Sequence, residues 1–483
     1  MSANLPPSST PDYRDVQRRK LKKRAVAVAA AVWSLVILMA CNLTSSPEPP
    51  TIAPRATATP PPTISYATLS PNELPDQAAT PVQQMQQVEA NLLNLMNQVE
   101  TDRLMFHIDR LQNMRTRHVN SPLNMPDWGV GAAYNYIKGQ FDEISVASQG
   151  RLAVFAHPFE TTFADVRSQQ NNIVAFLSGT EVGAGTILIG AHYDSISLDF
   201  EDGSAYAPGA NDNASGTAAL IELARVLSTR QHRTSIMFVA FAAEEINRRG
   251  SISFIDDYLA PPRDIDINVM INMDIIGSSL GSDGTVDDRN IRLFSAGPDE
   301  SPSRHMARMI ELIALRHVPN MIVMPQNSVD RENRYGDHLS FSDAGYAAVR
   351  FTQSLEDTTR QHNDRDTIDG VQGLYLTRAT QTVLTIVTAL ADGLRPPPAN
   401  FALRDAGNGM RTLVWEPVPS ASGYVVALRT PNSLTYQSFD ITDAGANSVT
   451  WDRFTPDNFY SVSIAAKDAS GLMGPLSPEF IIR

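Results

Sequence analysis

Apolar residues at Met85, Val88, Leu92, Leu95, Met96 and Val99 recur every three or four positions and predict a helix within 83–115. A second amphipathic helix is expected over 129–144, with Ala133, Tyr136, Ile137 and Phe141 on one side. From residue 150 the pattern shifts to short apolar runs at 172–177, 186–191, 235–243, 267–273 and 347–351. Helical periodicity lies between several of them, at 213–229, 301–317 and 370–394. Strands alternating with helices predict an α/β domain with a mostly parallel central sheet flanked by helices, spanning 83–394. The run Arg395-Pro396-Pro397-Pro398-Ala399 marks a break. Beyond it, β-rich runs at 411–415, 423–429, 447–451 and 459–466 are separated by Gly, Pro, Asn and Asp, which predicts an all-β sandwich over 398–483.

The chain has 483 residues, 42% of them apolar, enough for two or three globular domains of about 100–200 residues each. Its net charge of −13 is uneven, because residues 14–24 are strongly basic. So acidic a body excludes nucleic acid as the partner, since phosphate binding needs a basic face. The single cysteine, Cys41, forms no internal disulfide, and its position is the informative feature. The basic stretch is followed by the apolar run 25–40 and then Leu38-Met39-Ala40-Cys41. This resembles a bacterial lipoprotein signal, in which the cysteine carries lipid and becomes the mature N-terminus. The competing reading is an uncleaved transmembrane anchor, although the run is shorter than the roughly 20 residues a span needs. Either way residues 42–483 lie outside the cytoplasmic membrane. The Pro-, Thr- and Ser-rich stretch 42–82 reads as a spacer that holds the body off the membrane.

In open α/β sheets active residues gather at the carboxyl ends of strands. The run Thr186–Ala191 delivers His192-Tyr193-Asp194. Residues two apart on an extended chain face one way, so Asp194 can reach back to the His192 imidazole and fix its tautomer. The small-residue segment Gly209-Ala210-Asn211-Asp212-Asn213-Ala214-Ser215-Gly216 lets backbone pass close to a site, and Asp212 is either a ligand or a helix N-cap. The run Ile236–Ala243 delivers Glu244-Glu245; adjacent side chains diverge, so one carboxylate can bind metal while the other addresses a water. Asp274 closes the apolar run Ile267–Met273, where an acid is costly unless paired or metal-bound. Tyr346–Phe351 leads to Gln361-His362-Asn363, with Asp366 close behind. Two histidines and three carboxylates suit two zinc ions sharing one carboxylate, with manganese or cobalt as alternatives. A spare carboxylate beside them is machinery for amide hydrolysis.

The order and spacing of His-Tyr-Asp-Ser, Gly-Ala-Asn-Asp-Asn-Ala-Ser-Gly, Glu-Glu, Asn-Met-Asp-Ile-Ile-Gly, Gly-Asp-His and a late His resemble secreted dizinc aminopeptidases of the bacterial leucyl type, over roughly 88–394. That resemblance implies a zinc exopeptidase fold and peptide substrates with a free N-terminus. It implies that Asp212 bridges two metals, that His192 and Asp274 complete one site, and that Glu245 and His362 complete the other. Glu244 becomes the general base, Asp194 the residue that orients His192, and Tyr335 the candidate donor to the tetrahedral oxyanion. The late motif departs from the family's His-Thr, reading His362-Asn363. His338 stays open between a structural and a functional role. The segment 398–483 resembles a fibronectin type III module, through Leu413-Val414-Trp415, Gly423-Tyr424-Val425-Val426 and Tyr460–Ala466. Its expected partner is another surface protein or a polysaccharide. Two rival readings are a glutaminyl cyclase-like enzyme with one zinc and a non-catalytic surface binding protein on the same fold. Gln361 stands where the cyclases carry Trp, and the cyclases lack the Asn-Ala-Ser-Gly continuation found at 213–216.

Overall fold

The structure, a computed structural model, describes residues 90–260 and 265–483. The signal segment with Cys41, the Pro-rich stretch 42–82 and residues 83–89 lie outside the described residues. Among the described residues no helix is long and apolar enough to cross a membrane.

Residues 90–96 are helical, and helix α1 follows at Thr101–Gln112. The single helix expected over 83–115 is interrupted because the Glu100 N–H leaves the helical pattern and donates to the buried Glu222 carboxylate at 2.9 Å. Then come α2 (Val130–Ala147), the long hairpin β1 (Leu152–Phe163) and β2 (Val166–Leu177), and β3 (Thr186–His192). Next are α3 (Ala214–Leu227), β4 (Ser235–Phe241), α4 (Arg249–Phe254), β5 (Ile267–Met273) and β6 (Asn290–Ser295). The domain closes with α5 (Pro302–His317), β7 (Ile322–Pro325), α6 (His338–Asp343), β8 (Ala348–Gln353) and α7 (Gly373–Asp392).

The eight strands form one sheet in the order β1-β2-β4-β3-β5-β8-β6-β7. Its centre, β4-β3-β5-β8, is parallel, whereas β2 and β6 join antiparallel on either side. The sequence pattern finds the central strands because helices cover both their faces, turning them into unbroken apolar runs. In β3, Ile187, Ile189 and Ala191 pack into the core with α1, α2, α3, α5 and α7, while Leu188 points to the opposite core with Phe254 and Phe341. The outer strands β1, β6 and β7 escape that reading, since their sequences mix exposed and buried positions.

The C-terminal segment folds as two antiparallel sheets. One is β13-β10-β9, built from Ser448–Trp451, Met410–Val414 and Ala402–Gly407. The other is β12-β11-β14-β15, built from Gln437–Ile441, Gly423–Arg429, Ser461–Lys467 and Phe480–Ile481. Tyr424, Val426 and Leu428 face the sandwich interior with Trp415 and Trp451. Their neighbours Val425 and Ala427 face the other way and join the core of the α/β domain, together with Tyr436, Met473 and Leu476. The four-stranded sheet is therefore buried on both faces. Charged groups lock the seam: fully buried Arg429 holds Glu479 at 2.7–2.8 Å and also Asp299, which pairs in turn with Arg308 of α5. Although the prolines mark a break in sequence, the packing across it is continuous.

Candidate metal centre

Parallel neighbours in the sheet present their carboxyl ends side by side, and these ends carry the chemistry. His192 is the last residue of β3, Asp274 follows the last residue of β5, and Glu244 and Glu245 lie just beyond β4. The segment after β8 returns His362, whose backbone is left-handed (φ 55°). Asp212 comes from the turn that opens α3. The Asn213 side chain, not Asp212, caps that helix, accepting the Gly216 N–H at 2.9 Å. Asp212 is thereby left to face the site. Gly216 is required at this spot, because a Cβ there would stand 2.3 Å from the Met273 carbonyl oxygen. Asn211 and Asn213 stitch the turn to the end of β5, accepting the N–H groups of Gly277 (2.9 Å) and Ile275 (3.2 Å). The Asp212–Asn213 peptide is cis.

Two groups of three ligand atoms result, each within 4.8 Å of one another: His192, Asp212 and Asp274, and Asp212, Glu245 and His362. Asp212 belongs to both. One of its oxygens lies 3.4 Å from His192 Nε2 and the other 3.1 Å from His362 Nε2. His192 Nε2 stands 3.5 Å from Asp274 and 3.9 Å from Glu244, while Nδ1 faces Asp194 at 3.5 Å. Asp194 also accepts the backbone N–H groups of Glu244 and Glu245, each at 3.1 Å. Asp274 divides its oxygens: Oδ2 meets Arg350 at 3.1 Å, and the buried Oδ1 has no hydrogen-bond partner. Glu245 Oε1 is likewise buried without a partner.

The electrostatics describe a site short of cationic charge. Burial lifts Glu244 well above the usual carboxylate range and Glu245 to about 7. Glu245 and Asp212 hold His362 protonated up to about 9, and Glu244 and Asp274 raise His192 far above its ordinary value against the effect of burial. For Asp274 burial also works upward, but Arg350 and His192 outweigh it and hold the group near 2. Protons on two imidazoles thus supply charge that two divalent cations would supply better. Unpartnered carboxylate oxygens, histidine nitrogens and a shared Asp212 fit zinc.

Residues 172–387 match Peptidase family M28. The chain is 33% identical over 341 residues to a probable zinc metalloprotease of Pyrenophora tritici-repentis, covering 64% of this chain and 78% of the relative. It is 30% identical over 393 residues to one from Leptosphaeria maculans, covering 74% and 90%. The chain belongs to peptidase family M28. Its fold is similar to that of the LapA aminopeptidase of Legionella pneumophila, with a TM-score of 0.51 at 19% identity over 64% of this chain and 75% of that one.

As a zinc metalloprotease of family M28, the protein gathers its six predicted ligand and base residues at one cavity of about 210 Å³. Tyr335 lines the same cavity and is 46% exposed, at its mouth. His338 is instead fully buried, with Nε2 2.8 Å from the Val329 carbonyl oxygen, so the structure gives it a scaffold position. Sequence reasoning missed three supports of the M28 site. Arg350 sits inside an apolar strand and bridges Asp274 to Asp330 (2.7 Å). Asp366, named only for following His362, accepts the N–H groups of Asn211 (2.9 Å) and Asp212 (2.8 Å). Buried Arg117 holds the Gly209 turn through the carbonyls of Tyr193 (2.6 Å), Pro208 and Gly209 (2.9 Å). A charged residue inside an apolar run was the available signal for Arg350; Arg117 carried none.

Proposed function

We propose that this M28 zinc metalloprotease is an extracytoplasmic aminopeptidase that removes N-terminal residues from peptides with two zinc ions. The observation that carries this reading is Asp212, shared between the His192/Asp274 and Glu245/His362 groups. A single-zinc enzyme has no use for the second group, and a non-catalytic relative has no use for Glu244 beside a full ligand set. His192, Asp212 and Asp274 would hold one ion, and Asp212, Glu245 and His362 the other. Bound zinc supplies Lewis acidity and lowers the pKa of a water.

The chain's own groups do the rest. Glu244 takes a proton from the attacking water as its oxygen adds to the peptide carbonyl carbon. It returns that proton to the amine nitrogen as the C–N bond breaks. Burial, which raises the Glu244 carboxyl, suits a group that must hold a proton between the two steps. Asp194 orients His192, and the Tyr335 hydroxyl donates to the developing oxyanion. The acidic clustering around the ligands favours a substrate's positive N-terminus.

Cys41 anchors the protein through lipid, and the stretch 42–82 spaces it from the membrane. The antiparallel two-sheet sandwich supports a fibronectin type III-like reading of 398–483. Metal counting on the purified protein, with unblocked and N-acetylated peptides side by side, tests the enzymatic reading. Two zinc ions per chain and cleavage of unblocked peptides alone are expected; one zinc, or cleavage of N-acetylated peptides, overturns it. Membrane retention unchanged in Cys41→Ser would sink the lipid anchor.

A further inference from the structure

The walls of the metal cavity carry a second kind of charge. Arg248, Arg331 and Arg334 line it together with the ligands. Arg331 is neutralised by Asp330 (3.3 Å) and by Glu356. Arg334 donates to Gln361 and lies 3.9 Å from Glu356, which Arg292 and Arg331 already share. Arg248 differs from both. Among the described residues it has no carboxylate within ion-pair distance, and its Nε is buried without a hydrogen-bond partner.

Its position is built rather than incidental. The segment from β4 into α4 holds three non-glycine residues in left-handed conformation: Ala243 (φ 58°), Asn247 (φ 68°) and Arg248 (φ 58°). The Arg248 N–H is tied to the Glu244 carbonyl at 2.7 Å, and its carbonyl accepts the Ile252 N–H at 3.0 Å. Strained backbone of this kind persists where surrounding structure holds it, and it concentrates at functional sites. Here it fixes a half-buried guanidinium four residues from Glu244, with no anion among the described residues to satisfy it. A planar fork of donors in that state is complementary to a carboxylate.

We propose that Arg248 is a specificity-determining residue that pairs with a carboxylate on the leaving side of the scissile bond. This rests on the aminopeptidase reading. On that reading the substrate's N-terminus lies at the metal ligands, so the arginine wall is left for the other side of the substrate. The anion is either the α-carboxylate of a dipeptide or an acidic side chain of the residue after the scissile bond.

The test compares Leu-Ala, Leu-Glu-amide and Leu-Ala-amide on the zinc-loaded full chain and on Arg248→Ala and Arg248→Lys. In the native protein kcat/KM for at least one anionic peptide exceeds that for Leu-Ala-amide about 10-fold or more, as a charge-assisted hydrogen bond provides. The anionic peptide preferred identifies the source of the carboxylate. Arg248→Ala moves the anionic-to-amide ratio toward one, through KM, and Arg248→Lys restores much of it. The ratio is internal to each protein, and Arg248→Gln replaces Arg248→Ala if that variant fails to fold. Turnover of all three peptides with one ratio in native protein and variants overturns the role of Arg248 alone. Turnover of none of them overturns the aminopeptidase reading and the specificity with it.

Discussion

The Asp194 carboxylate faces His192 Nδ1 at 3.5 Å while accepting the backbone N–H groups of both Glu244 and Glu245. One side chain therefore joins the end of β3 to the turn after β4, and sets a proposed ligand and the proposed base together. Replacing Asp194 with Asn keeps the size and removes the charge that steadies the imidazole. Groups of this kind contribute about 10–100-fold to metal affinity or activity. We expect zinc to be lost to a chelator at correspondingly lower concentration and kcat/KM to fall by a similar factor. Unchanged zinc retention in a folded Asp194→Asn protein would reduce Asp194 to a turn scaffold.

Glu244 and Glu245 are chemically identical neighbours with different surroundings: Glu245 lies 3.3 Å from His362 Nε2, and Glu244 lies 3.9 Å from His192 Nε2. Glu244→Gln should keep both metals and lose at least about 10²–10⁴-fold in rate, the usual worth of a general base. Glu245→Gln should lose rate and also occupancy of one ion. Metal analysis of the two variants separates the roles; equal metal loss in both would reopen the choice of base.

Removing the metal should make stability fall as pH rises. The folded protein holds Glu245 and Asp366 protonated up to about 7, both through burial first, and His362 up to about 9 through Glu245 first. Each raised pKa adds stability that is complete below the unfolded value and is lost as pH climbs through the folded one. The window runs from about 4, where free carboxyls titrate, to about 9 for His362. Thermal melts of chelated protein should show Tm dropping across it. Zinc should flatten the part of the dependence that comes from Glu245 and His362, because the ions replace those two protons. A rising Tm over the same window in chelated protein contradicts this charge balance.

The seam with the sandwich should report as one folding unit. Glu479 pairs with buried Arg429 and accepts the Tyr436 hydroxyl at 2.6 Å, so Glu479→Ala leaves the Arg429 guanidinium with Asp299 as its one remaining carboxylate among the described residues and removes the acceptor of the Tyr436 hydroxyl. Breaking a buried pair from one side costs about 3–5 kcal/mol when the charge is left alone, and the retained Asp299 sets the expected loss below that range. Urea denaturation should show that loss in a single transition. Two separated transitions would mean that the sandwich folds apart from the peptidase core.

The sequence alone determined the central strands and the side chains at their ends. Each is a continuous apolar run buried on both faces, so a charged residue at its close stands out, as His192, Glu244, Glu245 and Asp274 do. It left Asp212 undecided between ligand and cap, because both roles favour the same residue. Only the folded turn, in which Asn213 takes the cap, releases Asp212 to the site. Arg350 to Asp330, Asp366 to the Asp212 turn, and Arg117 to Gly209 are contacts between segments 20, 154 and 92 residues apart. No local periodicity encodes such distances. The sandwich shows the same division. The β-rich run 423–429 marks a strand, but that its outer face joins the peptidase core depends on which apolar surface α5 offers, and that is a property of the packed molecule.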